Sequence, residues 1–530
     1  MTITGPEPNE SSEGRSAVAP ASAVRGHREH APATPLFQFV LVLGSAVYLF
    51  VNLFTFRGTP FLLGGDQVLF WTYAQRMFIG QRVYLDFFEF TPPGTDLVYL
   101  AAFRLFGPRV WTTNLIVLLL GVTLSWLCFR LALRIMPRSR ALLAAVLFLV
   151  LIYGKLLNAT HHWFCQVVLL SAVLVLLQRR TMARIAIAGG LLGLAAFFTQ
   201  TTGGIAAAAV MLFFLWEWFA TRASLRILLR QCALLMFGFA VVWGAASAHW
   251  LATVGIRRLL SFQAVYPARF MVDRWSNWSL GLPDPHAPGQ LASFGQAALV
   301  YLLLPFTYLI CGLLLWRRRN TSSPNTARIA LLTFVGLATL LEVARSPSWL
   351  RLYCAAAPGI VLLVWLLRYV TRMQFLTSLF LWIAIACLAI SQVRSRYREQ
   401  SVIVDTPAGV VATRTSTADK LLWIGARTRP GELFFQAGWS GLYLPLSLRN
   451  PAFFDMLENR DTTPPEYVQL TVRQLDDQNV QYILSSPSLE VPNPIDGPAA
   501  YHLAPFIQFL HQRYHRVWTF SDLDQVWERN

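Results

Sequence analysis

The chain is 530 residues long, 55% hydrophobic and only 13% charged, with a formal charge of +17 and a mean hydropathy of +0.47. Soluble domains carry about a quarter charged residues, so these totals exclude a soluble globular protein and point to a polytopic membrane protein. Nor does the positive charge indicate a nucleic-acid partner, since all but two of the 44 cations are Arg and most lie in short loops between apolar runs, not on a solvated basic face.

Residues 1–34, rich in Ala, Pro, Ser and Glu, read as a disordered tail. They lack the charged-apolar-small order of a signal peptide, so the run from Leu36 reads as a retained first span. About twenty apolar residues make one crossing. Candidate spans then fall at about 36–56, 110–129, 141–157, 163–178, 185–200, 205–220, 231–252, 293–316, 329–344, 352–367 and 373–393. That makes about eleven, with thirteen as the upper count. The uncharged run from Ile185 to Trp216 would be roughly 48 Å long as one helix, so it must fold back, with TQTTGG at 199–204 as the hairpin.

Alternate connections differ in charge. RLALRIMPRSR, QRRTMAR, TRASLRILLR, WRRRN and LLRYVTR hold no acid, whereas the other set holds Asp66, Asp86, Glu89, Asp273, Asp284 and Glu342. Cations stay on the cytoplasmic side, which puts the first set and the N-terminal tail in the cytoplasm. Loops 57–108 and 253–292 and the segment 394–530 then lie outside the cytoplasmic (inner) membrane. Within the first outer loop, the aromatic-rich Gln67–Ile79 suits a helix at headgroup level. GTDLVYLAAFRLFG, 94–107, is too short to cross and carries Asp96 and Arg104, so it reads as a helix against the membrane. The second outer loop carries Arg257, Arg258, Arg269 and Arg274, cations on the unexpected side that ask for an anionic partner.

From about 394 the composition becomes that of a soluble domain. RPGELFFQAG reads as turn then strand, PPEYVQLTVRQLDDQN and LAPFIQFLHQRYH as helices, VQYILSS as a strand, and HRVWTF with QVWER as a strand pair. The expected fold is a polytopic α-helical membrane domain over 35–393 with an extracytoplasmic α/β domain over 394–530. The six cysteines sit in apolar runs without CxxC spacing and give no disulfide framework.

Asp66 follows Gly64-Gly65, a favoured setting for a helix cap, and a cap residue is also held rigidly enough to act as a base. In YLDFFEFTPPG, 84–94, Asp86 and Glu89 read as solvated loop acids, partners of Arg82 and Arg104, or ligand contacts. The Pro92-Pro93-Gly94 turn ends the strand-like run before them. Glu342 with Arg345 at i+3 reads as an ion pair or as a group over a sugar pocket. His161 and His162 are adjacent, so they point different ways, do not make a metal site by spacing, and read as a polar loop. Glu217 reads as an interhelical or span-end residue.

Asp66, then AQRMFIGQRVYLDFFEFTPPG, then a short apolar helix ending RLFG, resembles the first outer loop of the GT-C glycosyltransferases, among them the protein O-mannosyltransferases and the lipid A aminoarabinose transferase. Gly80, Tyr84 and Asp86 supply the middle of that pattern and Thr91-Pro92-Pro93 its end. Gln67 replaces the acid of an Asp-Glu pair, and Thr91 stands where His or Lys is common. SPSWLRLYCAAAPG, 346–359, is similar to the late-span pattern of cation, Tyr and Pro near the lipid phosphate, here Arg351, Tyr353 and Pro358.

The resemblance implies an inverting transfer of a hexose or pentose from a polyprenyl-phosphate donor to a hydroxyl of a glycan, lipid or protein acceptor, at the outer membrane face. Asp66 would be the base. Arg351 with Tyr353, and Arg269 or Arg274, would meet the lipid phosphate; Asp86, Glu89, Glu342 and Arg345 would contact sugar or acceptor. No cofactor beyond a divalent cation is implied, and Gln67 leaves even that metal open. The opposing classes are a polytopic transporter or flippase for a lipid-linked or anionic substrate, which should carry midplane charges in two related halves, and a receptor with a membrane anchor.

Overall fold

The computed structural model describes residues 35–270, 294–295, 298–317, 323–344, 349–370, 374–459, 463–491 and 501–530. Nine helices open the described chain: α1 (Pro35–Leu53), α2 (Gln67–Phe78), α3 (Gly94–Phe106), α4 (Val110–Ala132), α5 (Arg138–Leu147), α6 (His161–Leu176), α7 (Met182–Phe198), α8 (Gln200–Thr221) and α9 (Leu225–Thr253). Seven helices among the described residues are long and apolar enough to cross a membrane. They are α1, α4, α5 with its extension to Leu156, α8, α9, Pro324–Glu342 and Phe375–Glu399. Four shorter apolar helices, α6, α7, Tyr301–Arg317 and Ala356–Leu367, occupy the remaining positions where spans were expected. The protein is therefore a multi-pass membrane protein with a small C-terminal α/β unit.

Glycines set the closest helix contact. On α7, a Cβ at Gly189 would meet Leu235 O of α9 at 2.0 Å, and one at Gly193 would meet Phe239 O at 2.3 Å. From α9, a Cβ at Gly238 would meet Ala186 O at 2.2 Å. Small residues let backbones touch where no hydrophobic effect separates helix from lipid. The fold-back between α7 and α8 is tighter than the hairpin expected over 199–204. Thr199 alone breaks the helix, at φ −145° and ψ 101°, because Gly203 packs on Ala196, whose backbone N lies 2.3 Å from where a Cβ would be. Arg180, in the connection between α6 and α7, pairs with Glu217 near the far end of α8, where that acid was expected to be an interhelical or span-end residue.

The loop between α1 and α4 carries α2 and α3 and is tied at both ends. Asn114 of α4, fully buried, donates to Leu53 O at 2.7 Å and Phe61 O at 2.9 Å. Residues 60–62 then join a small sheet: Leu62 N donates to Ala412 O, and Ala412 N donates to Pro60 O. That sheet is the antiparallel pair β1 (Val402–Val404) and β2 (Val411–Thr413). These strands, with the helix Thr415–Gly425, were not foreseen, being too short for a readable alternation. The expected elements of the unit are present: β3 (Phe435–Gln436), β4 (Tyr482–Ser485), β5 (Tyr514–Thr519) and β6 (Gln525–Arg529), with the helices Pro465–Asp477 and Ala504–Arg513; the strands lie in sheet order β3-β4-β6-β5, and the short helices Tyr443–Leu446 and Pro487–Leu489 are additional.

Two local expectations need correcting. The residues of α2 do not lie on a membrane surface: Phe70, Trp71, Tyr73 and Ala74 are buried in the protein, because the C-terminal unit covers the helix. Arg76 forms a buried ion pair with Asp455 and donates to Ala452 O at 2.9 Å. An aromatic stripe with few charges fits an interior and a headgroup layer equally well. Likewise YLDFFEF is no strand. Tyr84 takes a left-handed φ of 68°, and Val83 and Phe87 form an isolated bridge around a turn.

Candidate active site

Gly65, at φ +76°, turns the chain into α2, a backbone that glycine adopts at no steric cost. Asp66 follows at φ −53° and ψ −28°, already helical, and its side chain makes no capping hydrogen bond. The carboxyl is thus not spent on the helix end. Burial pushes it above the ordinary aspartate value; Arg351 opposes that rise and Glu458 reinforces it. Beside it, Gln67 is fully buried, its Oε1 accepting from Ala159 N at 3.1 Å and its Nε2 donating to Gly64 O at 3.3 Å. Gln67 locks the start of α2 onto the segment that leads into α6.

Arg351, on the short helix Trp349–Cys354, is the cation of this region. Its charge acts on Asp66 of the first loop, His161 and His162 of α6, and Glu342 of the helix Pro324–Ala344. Distant parts of the sequence therefore converge on one guanidinium. The two histidine rings, expected in a loop, form the first turn of α6 with centroids 3.9 Å apart. His161 also lies 5.2 Å from the Phe70 ring, and its Nδ1 is buried without a hydrogen-bond partner. Adjacent histidines were set aside because their spacing suits no metal; nothing in the local sequence signals that a remote Arg faces them. Glu342 accepts from Thr201 Oγ1 at 2.8 Å and Thr202 Oγ1 at 3.2 Å, so its partners come from the start of α8, while Arg345 lies outside the described residues. Tyr353 is buried two residues beyond Arg351.

The other acids divide by burial. Asp86 is partly exposed and closes a turn with Arg82, whose N–H donates to its Oδ2 at 2.7 Å and whose side chain pairs with it at 3.3 Å. Burial alone would raise its carboxyl, yet the hydrogen bonds and charge of Arg82 prevail and hold it below the ordinary value. Glu89 is buried, its Oε1 accepting from Thr91 N at 2.7 Å and Thr91 Oγ1 at 2.8 Å while Oε2 has no partner. Burial pushes it up to about 7. Asp96, read from sequence only as evidence against a crossing, is wholly buried with both oxygens unpartnered; burial and the nearby Glu89 push its carboxyl well up. A cord of hydrogen bonds steadies this loop from the membrane helices: Gln200 Nε2 donates to Gln263 O at 2.9 Å, Gln263 Nε2 to Tyr84 Oη at 2.7 Å, and Tyr84 Oη to Thr91 O at 2.5 Å.

Arg269 lies on the helix Tyr266–Phe270 with its guanidinium 5.4 Å from the Phe270 ring centroid. Arg274, with Asp273 and Asp284, is outside the described residues. No group of three or more His, Cys, Asp or Glu among the described residues is placed to hold a metal, and Gln67 has its oxygen taken by Ala159 N.

Comparison with solved structures places this arrangement in a known fold. ArnT from Cupriavidus metallidurans in the apo state matches with a TM-score of 0.60 at 14% identity, over 92% of this chain and 97% of that one. ArnT bound to undecaprenyl phosphate matches at 0.60 and 13% identity, over 93% and 98%. The archaeal oligosaccharyltransferase AglB from Archaeoglobus fulgidus, in complex with an inhibitory peptide and a dolichol-phosphate, matches at 0.52 and 14% identity, over 86% and 70%. The chain has the fold of the GT-C glycosyltransferases, as its first loop suggested. No protein-family model matches the chain, and no curated protein matches it.

Proposed function

We propose that this protein is a membrane glycosyltransferase that moves a sugar, a hexose or pentose, from a polyprenyl-phosphate donor to an acceptor hydroxyl at the outer face of the cytoplasmic membrane. The observation that carries the reading is Asp66: a carboxyl uncommitted to its helix end, on which the charges of both Arg351 and Glu458 act. Two neighbours in fold carry polyprenyl phosphates, undecaprenyl phosphate in ArnT and a dolichol-phosphate in AglB, which supports a donor of that kind.

An alcohol attacks well only as its proton leaves. Asp66 takes that proton while the acceptor oxygen bonds to the anomeric carbon. The bond from that carbon to the phosphate oxygen breaks, and its electron pair departs with the lipid phosphate. Attack opposite the leaving group inverts the anomeric centre. Arg351 meets the charge that grows on the phosphate, a charge-assisted contact stronger than a neutral one and strongest in the transition state. The raised basicity of Asp66 serves the same step, since a general base works best with a pKa near the working pH. Orientation with the N-terminus inside and the C-terminal unit outside follows from the acid-free short loops.

The test is transfer by the purified protein from radiolabelled polyprenyl-phosphate sugars to an envelope extract. Asp66→Asn should lower transfer by about 10²–10⁴-fold, the span expected for a general base, with an unchanged melting temperature. Equal transfer by both proteins would remove Asp66 from this role.

A further inference from the structure

A cavity of about 830 Å³ opens between the Gly64-Gly65 turn and the C-terminal unit. This size suits a small ligand rather than water alone. Trp439 lies on its wall between Gly438 and Gly441, 47% exposed. An indole left in the open forgoes burial that a folded chain normally takes, unless something else covers it. Gln400 also lines the cavity; it is only 6% exposed, and its buried Oε1 has no hydrogen-bond partner. Such an orphaned acceptor costs stability until a donor reaches it.

Charge and backbone narrow the occupant. Two of the three cations lining the cavity are paired with acids: Lys420 binds Asp522 at 2.6 Å and Asp524 at 2.5 Å, and Arg414 binds Glu399 at 2.5 Å, whose charge also acts on the third, Arg396. A polyanion would have to displace those carboxylates. A peptide held by strand addition would need an open strand edge. The edges bordering the cavity are occupied, because Pro60–Leu62 pairs with β2 and Gln436 N donates to the Tyr443 hydroxyl at 2.9 Å. A sugar ring has what remains: a C–H face for the indole, and hydroxyls that both donate and accept. The cavity also adjoins the reaction centre, since Gly64 and Gly65 precede Asp66 directly and Glu458 on the wall acts on the Asp66 charge.

We propose that this cavity seats the acceptor, and that the acceptor is a neutral saccharide stacked on Trp439 and bonded through its hydroxyls to Gln400, Asn459 and Glu458. One hydroxyl then passes across Gly64-Gly65 to Asp66. The donor phosphate stays with Arg351, which is not among the residues lining this cavity. This rests on the transferase reading, and its test must separate the two.

In the transfer assay, Trp439→Ala should raise the acceptor concentration for half-maximal rate at least tenfold and leave the donor dependence within twofold. Trp439→Phe should recover most of the loss, and the labelled product should survive exhaustive proteolysis. An unchanged acceptor dependence, or a protease-sensitive product, overturns the proposal. Binding is then read without chemistry, by saturation-transfer NMR with the neutral oligosaccharides released from the envelope by mild acid. Saturable signals with wild type and with Asp66→Asn, lost in Trp439→Ala, support the saccharide seat even where wild type transfers nothing, an outcome that sinks the transferase reading alone. No saturable signal with wild type overturns the seat.

Discussion

At the scale of single residues, the proposed mechanism divides one reaction between Asp66 and Arg351, and their charges make the division measurable. Asp66 acts ionised, and burial raises its pKa. Transfer should therefore fall on acidification at a higher pH than an ordinary aspartate gives. Arg351 opposes that rise, so Arg351→Gln should move the acid limb of kcat/KM to still higher pH while also weakening donor binding. A limb that stays in place would separate the two groups. Glu89 makes a second prediction, about stability. Its folded-state pKa of about 7 exceeds the unfolded value, so the folded protein binds more protons between the two. Its contribution is present at low pH and lost as pH rises through about 7. The melting temperature should drop from pH 5 to pH 8, and Glu89→Gln, which holds a neutral group in the same space, should flatten that drop.

At the scale of elements, α2 joins the Asp66 carboxylate, the proposed base, to the C-terminal unit. One end carries Asp66; further along, Gln75 Nε2 donates to Tyr443 O and Leu448 O, each at 3.4 Å, and Arg76 pairs with Asp455. The Arg76 and Asp455 side chains are 4% and 1% exposed, so removing one partner strands a buried charge. Asp455→Ala should cost about 3–5 kcal/mol in thermal or denaturant melts, whereas Arg76→Met with Asp455→Leu should recover most of it. The α7 and α9 contact is a purely steric counterpart. Gly193→Ala pushes a methyl against Phe239 O and should cost about 1–3 kcal/mol by overpacking. Because α9 is mostly exposed and meets α7 along this glycine line, that cost should appear in stability before it appears in transfer.

At the scale of the whole molecule, the membrane body and the C-terminal unit share a core. Pro60–Leu62 extends the β1–β2 sheet, Phe88 N donates to Phe453 O at 2.7 Å, and Phe88 packs against Phe453, Phe454 and Tyr467. Such interleaving predicts that the unit does not unfold by itself. A probe on Trp439 and one on α4 should report a single thermal transition, and a chain ending at Glu399 should lose transfer and become protease-sensitive at 60–91, whose covering residues are gone.

Much of this was legible in advance for a physical reason. Membrane spans are set by runs of apolar residues near in sequence, so the eleven apolar helices among the described residues needed no tertiary knowledge. The Gly-Gly-Asp turn and the Pro-Pro turn were equally local. Asp66 with Arg351, named together from sequence, are also together in space. What local sequence could not hold was anything made by contact between remote segments. The burial of α2 came from a domain more than 300 residues away; the histidine pair gained meaning only by facing Arg351; Asp96 lost its solvent to α3 packing; and the cavity beside Trp439 exists only where the first loop meets the C-terminal unit. Hydropathy is a property of each residue, whereas burial, charge coupling and cavities belong to pairs, and only the folded chain decides which pairs meet.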